Sequence, residues 1–199
     1  MERRFLKMED MQAREDGEAL FLEGYFAVFN SIYELWPGAT ESIAPGAFDE
    51  SVSGDVRALF NHNADLVLGR TAAGTLELRQ DSHGLWGRIR INREDTDAVN
   101  AYARIKRGDV TGCSFGFEIE AEETDYREDG SVHWTITKIK PLYEVSPCTF
   151  PAYQETTVSA RKREIEDIRK RKKEAWRTAM RARLKGVKEN GVKSTEASA

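Results

Sequence analysis

A histidine at the end of an apolar strand, a serine between two glycines and a glutamate inside an apolar run are the residues of this sequence best suited to chemistry. The histidine is His62, in RALFNHNADLVLGR (57–70), where an apolar strand ends beside two asparagines and opens toward a polar pocket. By context it is the best general base of the three histidines present. His83 lies in the turn Asp81-Ser82-His83-Gly84 and reads as exposed; His133 sits beside Trp134 in a strand of alternating character. The serine is Ser114, in TGCSFGFEIE (111–120). Gly112 and Gly116 give it little steric cover and let backbone N–H groups approach a substrate oxygen. The glutamate is Glu144, in the run Tyr143-Glu144-Val145-Ser146-Pro147. A carboxylate there is either at an exposed edge or paired, and a histidine ring N–H would hold it and fix the ring's tautomer. A serine needs a base to lose its proton and the base needs an orienting acceptor, so these three side chains are those of a nucleophilic hydrolase.

Singly, each has a plainer reading: a strand-end histidine, a strand serine, an edge-strand charge. Gly112-Cys113-Ser114-Phe115-Gly116 does satisfy Gly-x-Ser-x-Gly, but it follows a helix and precedes a strand, whereas the nucleophile elbow runs strand, turn, helix. The chain order His, Ser, Glu differs from the chymotrypsin, subtilisin and α/β-hydrolase orders, which excludes those folds without excluding a triad. The histidines lack a ligand spacing such as His-x-x-x-His, and Cys113 and Cys148 alone cannot form a structural zinc site. Neither a metal nor a cofactor is expected, and the two cysteines read as small, buried, free thiols.

The elements that must position these groups are mostly short strands. Leu20–Phe29 reads as a buried strand, and Pro37-Gly38 and Pro45-Gly46 punctuate the loop after it. Ala47–Val52 suits one helical turn. Val56–Phe60 and Leu66–Gly69 are further strands, and Gly74–Arg79 with Leu85–Ile91 forms a hairpin. One helix stands out: Asp95 is a good N-cap, Ala98, Val99, Tyr102 and Ile105 recur at helical spacing, and Gly108 stands where a left-handed C-terminal residue belongs. Strand signals follow at Val110–Ile119, Val132–Ile139 and Tyr143–Ser146. Many short strands with few helices predict a mainly β, α+β architecture: a β-barrel with peripheral helices.

The chain of 199 residues carries a formal net charge of −4, unevenly spread. Residues 160–199 hold 14 Lys/Arg against 6 Asp/Glu, and the remainder 16 against 28. Three parts are expected: a flexible arm or weak helix over 1–17, a barrel domain over 18–158, and a basic helical tail over 159–199 with a narrow apolar stripe that includes Ile165, Ile168, Trp176 and Met180. The acidic body disfavours nucleic-acid binding, no apolar run is long enough to cross a bilayer, and no signal-peptide core follows the charged first residues. The stripe on the tail suits docking onto a helical partner.

Four segments in order, EGYFAVFNSIYE (23–34), ESIAPGAFDESV (41–52), RALFNHNADLVLGR (57–70) and the pair GCSFGFEIE (112–120) with YEVSPCTFPAY (143–153), resemble the prohead (capsid maturation) protease family of tailed phages, whose fold is similar to that of herpesvirus assemblin. The resemblance covers about residues 20–155. It implies a serine endopeptidase built on a closed β-barrel surrounded by helices, with His62 and Ser114 as base and nucleophile. Glu144 falls on the third catalytic position, with His133 as its rival because assemblin uses a second histidine there. Cys113 before the serine and Pro147-Cys148 after Glu-Val-Ser depart from the commonest form without removing a catalytic group. The implied substrates are the scaffold segment of the major capsid protein, internal scaffold and the protease itself, inside an immature capsid in the host cytoplasm; oligomer formation is left open. The competing reading is a catalytically silent capsid-assembly or scaffolding protein that binds partners through the basic tail.

Overall fold

The computed structural model describes residues 1–7, 11–150 and 161–181 apart from 164, 169 and 172, with side chains from Phe5 to Lys7 outside that description. The chain divides into two compact units, Met1–Gln154 and Glu155–Ala199. In the second, the described residues of 161–181 are helical, and Trp176 and Met180 are exposed. The rest of the expected basic helical tail, beyond residue 181, lies outside the described residues. No helix among the described residues is long and apolar enough to cross a membrane.

The first unit is built from β1 (Glu2–Lys7), β2 (Gln12–Asp16), β3 (Ala19–Val28), β4 (Tyr33–Trp36), β5 (Ala39–Ile43), β6 (Arg57–Phe60), β7 (Asn63–Arg70), β8 (Leu76–Gln80), β9 (Gly84–Ile91), α1 (Thr96–Arg107), β10 (Gly112–Tyr126) and β11 (Val132–Cys148). Strand β3 shows why such segments pair. Leu20, Leu22 and Phe26 recur at the pleat's period of two and point into the core, while Phe21, Glu23 and Tyr25 lie on the other face, half-buried. Its sheet has the order β2-β3-β9-β8, all antiparallel. The larger sheet runs β1-β10-β11-β5-β4, with the β6–β7 hairpin branching from β11. Leu22, Phe26 and Ile89 of the small sheet join Phe115, Phe117, Ile136 and Val145 of the large one in a single apolar core.

Helix α1 closes one end of that core through Ala98, Ala101, Tyr102 and Ile105. The Asp95 carboxylate accepts from the backbone N–H of Asp97 and Ala98, at 3.0 and 3.1 Å, and Gly108 ends the helix at φ 86°, a left-handed conformation that glycine adopts without a Cβ clash.

The expected closed β-barrel is not formed. The two sheets remain separate, no ladder among the described residues joins their edges, and beside α1 the described part of the first unit has only a three-residue 3-10 turn at Thr71–Ala73, so helices do not surround it. Closure requires the last strand of a sheet to bond the first. Here β11 gives one edge to β10 and divides the other between β5, over Val132–Ile136, and β6, at Glu144–Val145. Pro141, which has no N–H to offer a ladder, lies between the two partners. The sheet therefore forks at β11. It also bends, with register shifts in β10 between Gly116 and Glu122.

Two further expectations give way. Residues 2–7 and 12–16, anticipated as a loose arm or weak helix, are strands at the outer edges of the two sheets. Edge strands are short and polar, so they carry little apolar alternation. The separate strand signals at 132–139 and 143–146 prove to be one strand, β11, and β10 runs on to Tyr126 through exposed carboxylates.

Replacing Asp95 with Ala is expected to destabilise the chain by about 1 kcal/mol, seen as a lower urea midpoint with an unchanged denaturant slope.

Candidate active site

The β6–β7 hairpin delivers His62. Its register pairs Phe60 with Asn63, leaving Asn61 and His62 as a two-residue turn. Both have positive φ, 53° and 60°, as a type I′ turn requires. Asparagine tolerates that conformation well; histidine does so at a cost, and such strain concentrates at functional sites. The turn is held against the end of β11. The Asn61 N–H donates to Pro147 O at 3.0 Å, and the Asn61 carboxamide accepts from the Thr149 N–H at 2.8 Å while donating to Thr149 Oγ1 at 3.3 Å.

So anchored, the His62 ring meets Glu144, with Nδ1 2.7 Å from Oε1. The histidine and glutamate side chains are 8% and 5% exposed, so little water competes for this contact. Ser146, also buried, donates its hydroxyl to Oε2 of the same carboxylate. Both carboxylate oxygens are thus engaged, which fixes the plane of the group.

Ser114 is fully buried. On the β10–β11 ladder it stands opposite Ser146, and Gly116 stands opposite Glu144. Directly opposed residues share a face of the sheet, as do residues two apart, so Ser114, Ser146 and Glu144 lie side by side on one face. Gly116 is needed there for space. A Cβ on it would lie 2.6 Å from Glu144 Oε1, so the missing side chain is what lets the carboxylate lean over β10 toward the serine. Ser114 Oγ and His62 Nε2 are both buried, and neither has a hydrogen-bond partner among the described residues. Buried polar groups are rarely left unpaired because each forfeits its hydration, so two such atoms at one site call for a functional explanation. Donor and acceptor contacts in catalytic sites are commonly loose without substrate and tighten when it binds.

The structure thus brings His62 and Glu144 into contact and sets Ser114 on the same face. It does not bring His133 there. That ring lies toward the other end of β11, opposite Thr40, with Nδ1 2.8 Å from Thr40 Oγ1 and Nε2 2.9 Å from Ser42 Oγ. His83 is exposed and packs edge-on against Tyr25. Two contributors escaped the sequence reading. Asn61 carried a signal, an Asn directly before the histidine where a strand ends. Ser146 carried none beyond its place two residues after Glu144, a spacing that means one face only once the segment is known to be a strand.

The cysteines are free and buried. Burial, with the charge of Glu144 adding to it and that of Arg3 opposing it, pushes the Cys148 thiol up to about 12; burial also raises Cys113 well above its ordinary value. Neither is a thiolate nucleophile near neutral pH. Among the described residues no group of three or more His, Cys, Asp and Glu side chains could hold a metal ion.

A family model described as caudovirus prohead serine protease matches residues 7–171. This chain belongs to that family. The prohead protease of Enterobacteria phage HK97 is 30% identical over 151 residues, which cover 74% of this chain and 62% of that protein. The chain therefore spans less than two thirds of the length of that relative. No solved structure matches it.

Because the folded pKa of Cys148 lies above the ordinary 9.0, the stability it contributes is complete below pH 9 and is lost as the pH rises toward about 12. The urea midpoint is expected to fall between about pH 8 and pH 10.5, and to fall less in Cys148→Ala. The Cys148 thiol should resist a disulfide reagent at neutral pH until the chain is unfolded.

Proposed function

We propose that the chain is a serine endopeptidase that cleaves capsid-assembly proteins during phage prohead maturation, with Ser114 as nucleophile, His62 as general base and Glu144 as the group that orients the base. The observation that carries this reading is the 2.7 Å contact between His62 Nδ1 and Glu144 Oε1, together with the buried, unpartnered His62 Nε2 and Ser114 Oγ. Membership of the prohead serine protease family supports it and supplies the substrate class.

In this mechanism the ring donates Nδ1–H to Glu144, which leaves the lone pair of Nε2 free to accept a proton. As Ser114 Oγ attacks the scissile carbonyl carbon, its proton passes to Nε2. The tetrahedral intermediate collapses, the C–N bond breaks, and Nε2–H protonates the departing amine. Water then enters, gives a proton to Nε2 and attacks the acyl-serine. Its collapse releases the new carboxyl terminus and returns the proton to Ser114. Glu144 stabilises the imidazolium formed in each half-reaction, and Ser146 keeps the carboxylate from rotating away. The expected substrates are the scaffold segment of the major capsid protein, internal scaffold and the chain itself.

The test is intact mass over time for the purified chain, alone and mixed with a capsid scaffold segment, beside its variants. Ser114→Ala and His62→Ala should each lower turnover by about 10⁴–10⁶ while keeping the fold. Glu144→Gln should cost less, and Ser146→Ala less again, because these residues orient and do not react. A wild type that leaves both itself and the segment whole would reject the peptidase reading in favour of a non-enzymatic assembly protein.

A further inference from the structure

A nucleophile must be reached, and Ser114 has no exposed surface. A scissile carbonyl has to come within about 3–3.5 Å of its Oγ, so some element covering it must give way. One edge of β10 belongs to β11, which carries Glu144 and Ser146 and pairs with β10 from Gly112 to Tyr126. It cannot leave without dismantling the site. The His62 turn is tied to Pro147 and Thr149 and supplies the base. The other edge of β10 belongs to β1.

Strand β1 runs antiparallel along that edge from Lys7, opposite Gly112, to Glu2, opposite Phe117, with Phe5 opposite Ser114. Among the described strands it is the last of its sheet and pairs with β10 alone. Just before it, Met1 places its Sδ 3.1 Å from where a Gly116 Cβ would sit, over the face that carries Ser114 and Glu144. On the opposite face β1 is pinned by one buried ion pair, in which Arg4 grips both oxygens of Glu41 in β5. This is an extended segment bonded to the nucleophile's own strand, in register with the nucleophile.

We propose that the β10 edge over Gly112–Phe117 is the substrate-binding edge, that it takes an extended polypeptide segment as an added antiparallel strand, and that β1 occupies it in the resting chain and must be exchanged for substrate. The proposal rests on Ser114 being the nucleophile of a peptidase. An incoming strand remakes the ladder that β1 gives up, so the exchange conserves backbone hydrogen bonds whatever the side chains. In addition β1 has its covalent tether, which gives it a high effective concentration, and the buried Arg4–Glu41 pair. Both raise the threshold that a substrate must overcome. A dense local supply of substrate segments meets it by mass action.

The register supplies a lock. Leu6 stands opposite Cys113, a native thiol on the face of β10 away from Ser114, so Leu6→Cys can tie β1 to β10 without touching the site. The oxidised variant should lose both cleavage of a scaffold peptide and labelling of Ser114 by a fluorophosphonate, and dithiothreitol should restore both. Leu6→Cys combined with Cys113→Ala should be active with or without reductant. An oxidised, fully cross-linked variant that labels and cleaves as fast as the reduced one overturns the exchange of β1 and leaves the peptidase reading standing. A reduced variant and wild type that neither label nor cleave would instead reject the peptidase reading. If the cross-link does not form, hydrogen exchange decides: amides of β1 should exchange at least about tenfold faster than those of β11, and equal protection overturns the proposal.

Discussion

The hydrogen bond between His62 and Glu144 is the contact that the rest of the site's geometry serves. It joins residues 82 positions apart, across a tight turn and the end of a long strand, with little water to help. Such a bond is strong only if both partners arrive already oriented, because the low-dielectric surroundings that strengthen it also penalise any misplacement. Orientation of the ring comes from the turn and its ties to β11. Orientation of the carboxylate comes from Ser146 and from the space above Gly116. Any loosening of β6 from β11 would reach the site directly, since the two strands pair at Glu144 and Val145.

The same constraint explains the fork in the large sheet. β11 must accept β5 along its first half to complete the core and β6 along its last residues to bring the histidine in. A strand has two edges, and one of them is given throughout to β10, which brings the serine. Meeting all three demands forks the sheet, so it has no single last strand to bond β1 and close a barrel. The result is two facing sheets whose shared core is apolar while the polar chemistry gathers at the end of β11.

Electrostatics favours the serine over the cysteines as the reactive group. Cys148 sits close enough to feel the charge of Glu144, yet burial and that same charge hold its thiol protonated. Cys113 immediately precedes the serine but faces the core, where a thiolate would be desolvated without a compensating cation. Ser114 alternates to the other face, where an imidazole nitrogen lies buried and unpaired. One residue of register separates a thiol that faces the core from a hydroxyl on the face that carries Glu144.

Much of the local structure could be read from residue types. Asp95 and Gly108 bound α1 because a carboxylate caps exposed N–H groups and glycine accepts a left-handed turn. An apolar run rich in aromatic residues marked β3, and the Asp81–Gly84 turn marked the β8–β9 hairpin. His62, Ser114 and Glu144 stood out as candidates because few side chains can act as base, nucleophile and orienting acid, and the motifs around them resemble one family. β1 and β2 were not legible, since edge strands need no apolar alternation. Neither was the absence of a closed barrel, because strand pairing is set by contacts far apart in the chain and no local pattern records which edge meets which. The choice of Glu144 over His133 as the neighbour of His62 was likewise open in the sequence, where either side chain could accept a ring N–H. Only the tertiary structure decided it, because β6 docks at one end of β11 and His133 lies near the other, bonded to Thr40 and Ser42.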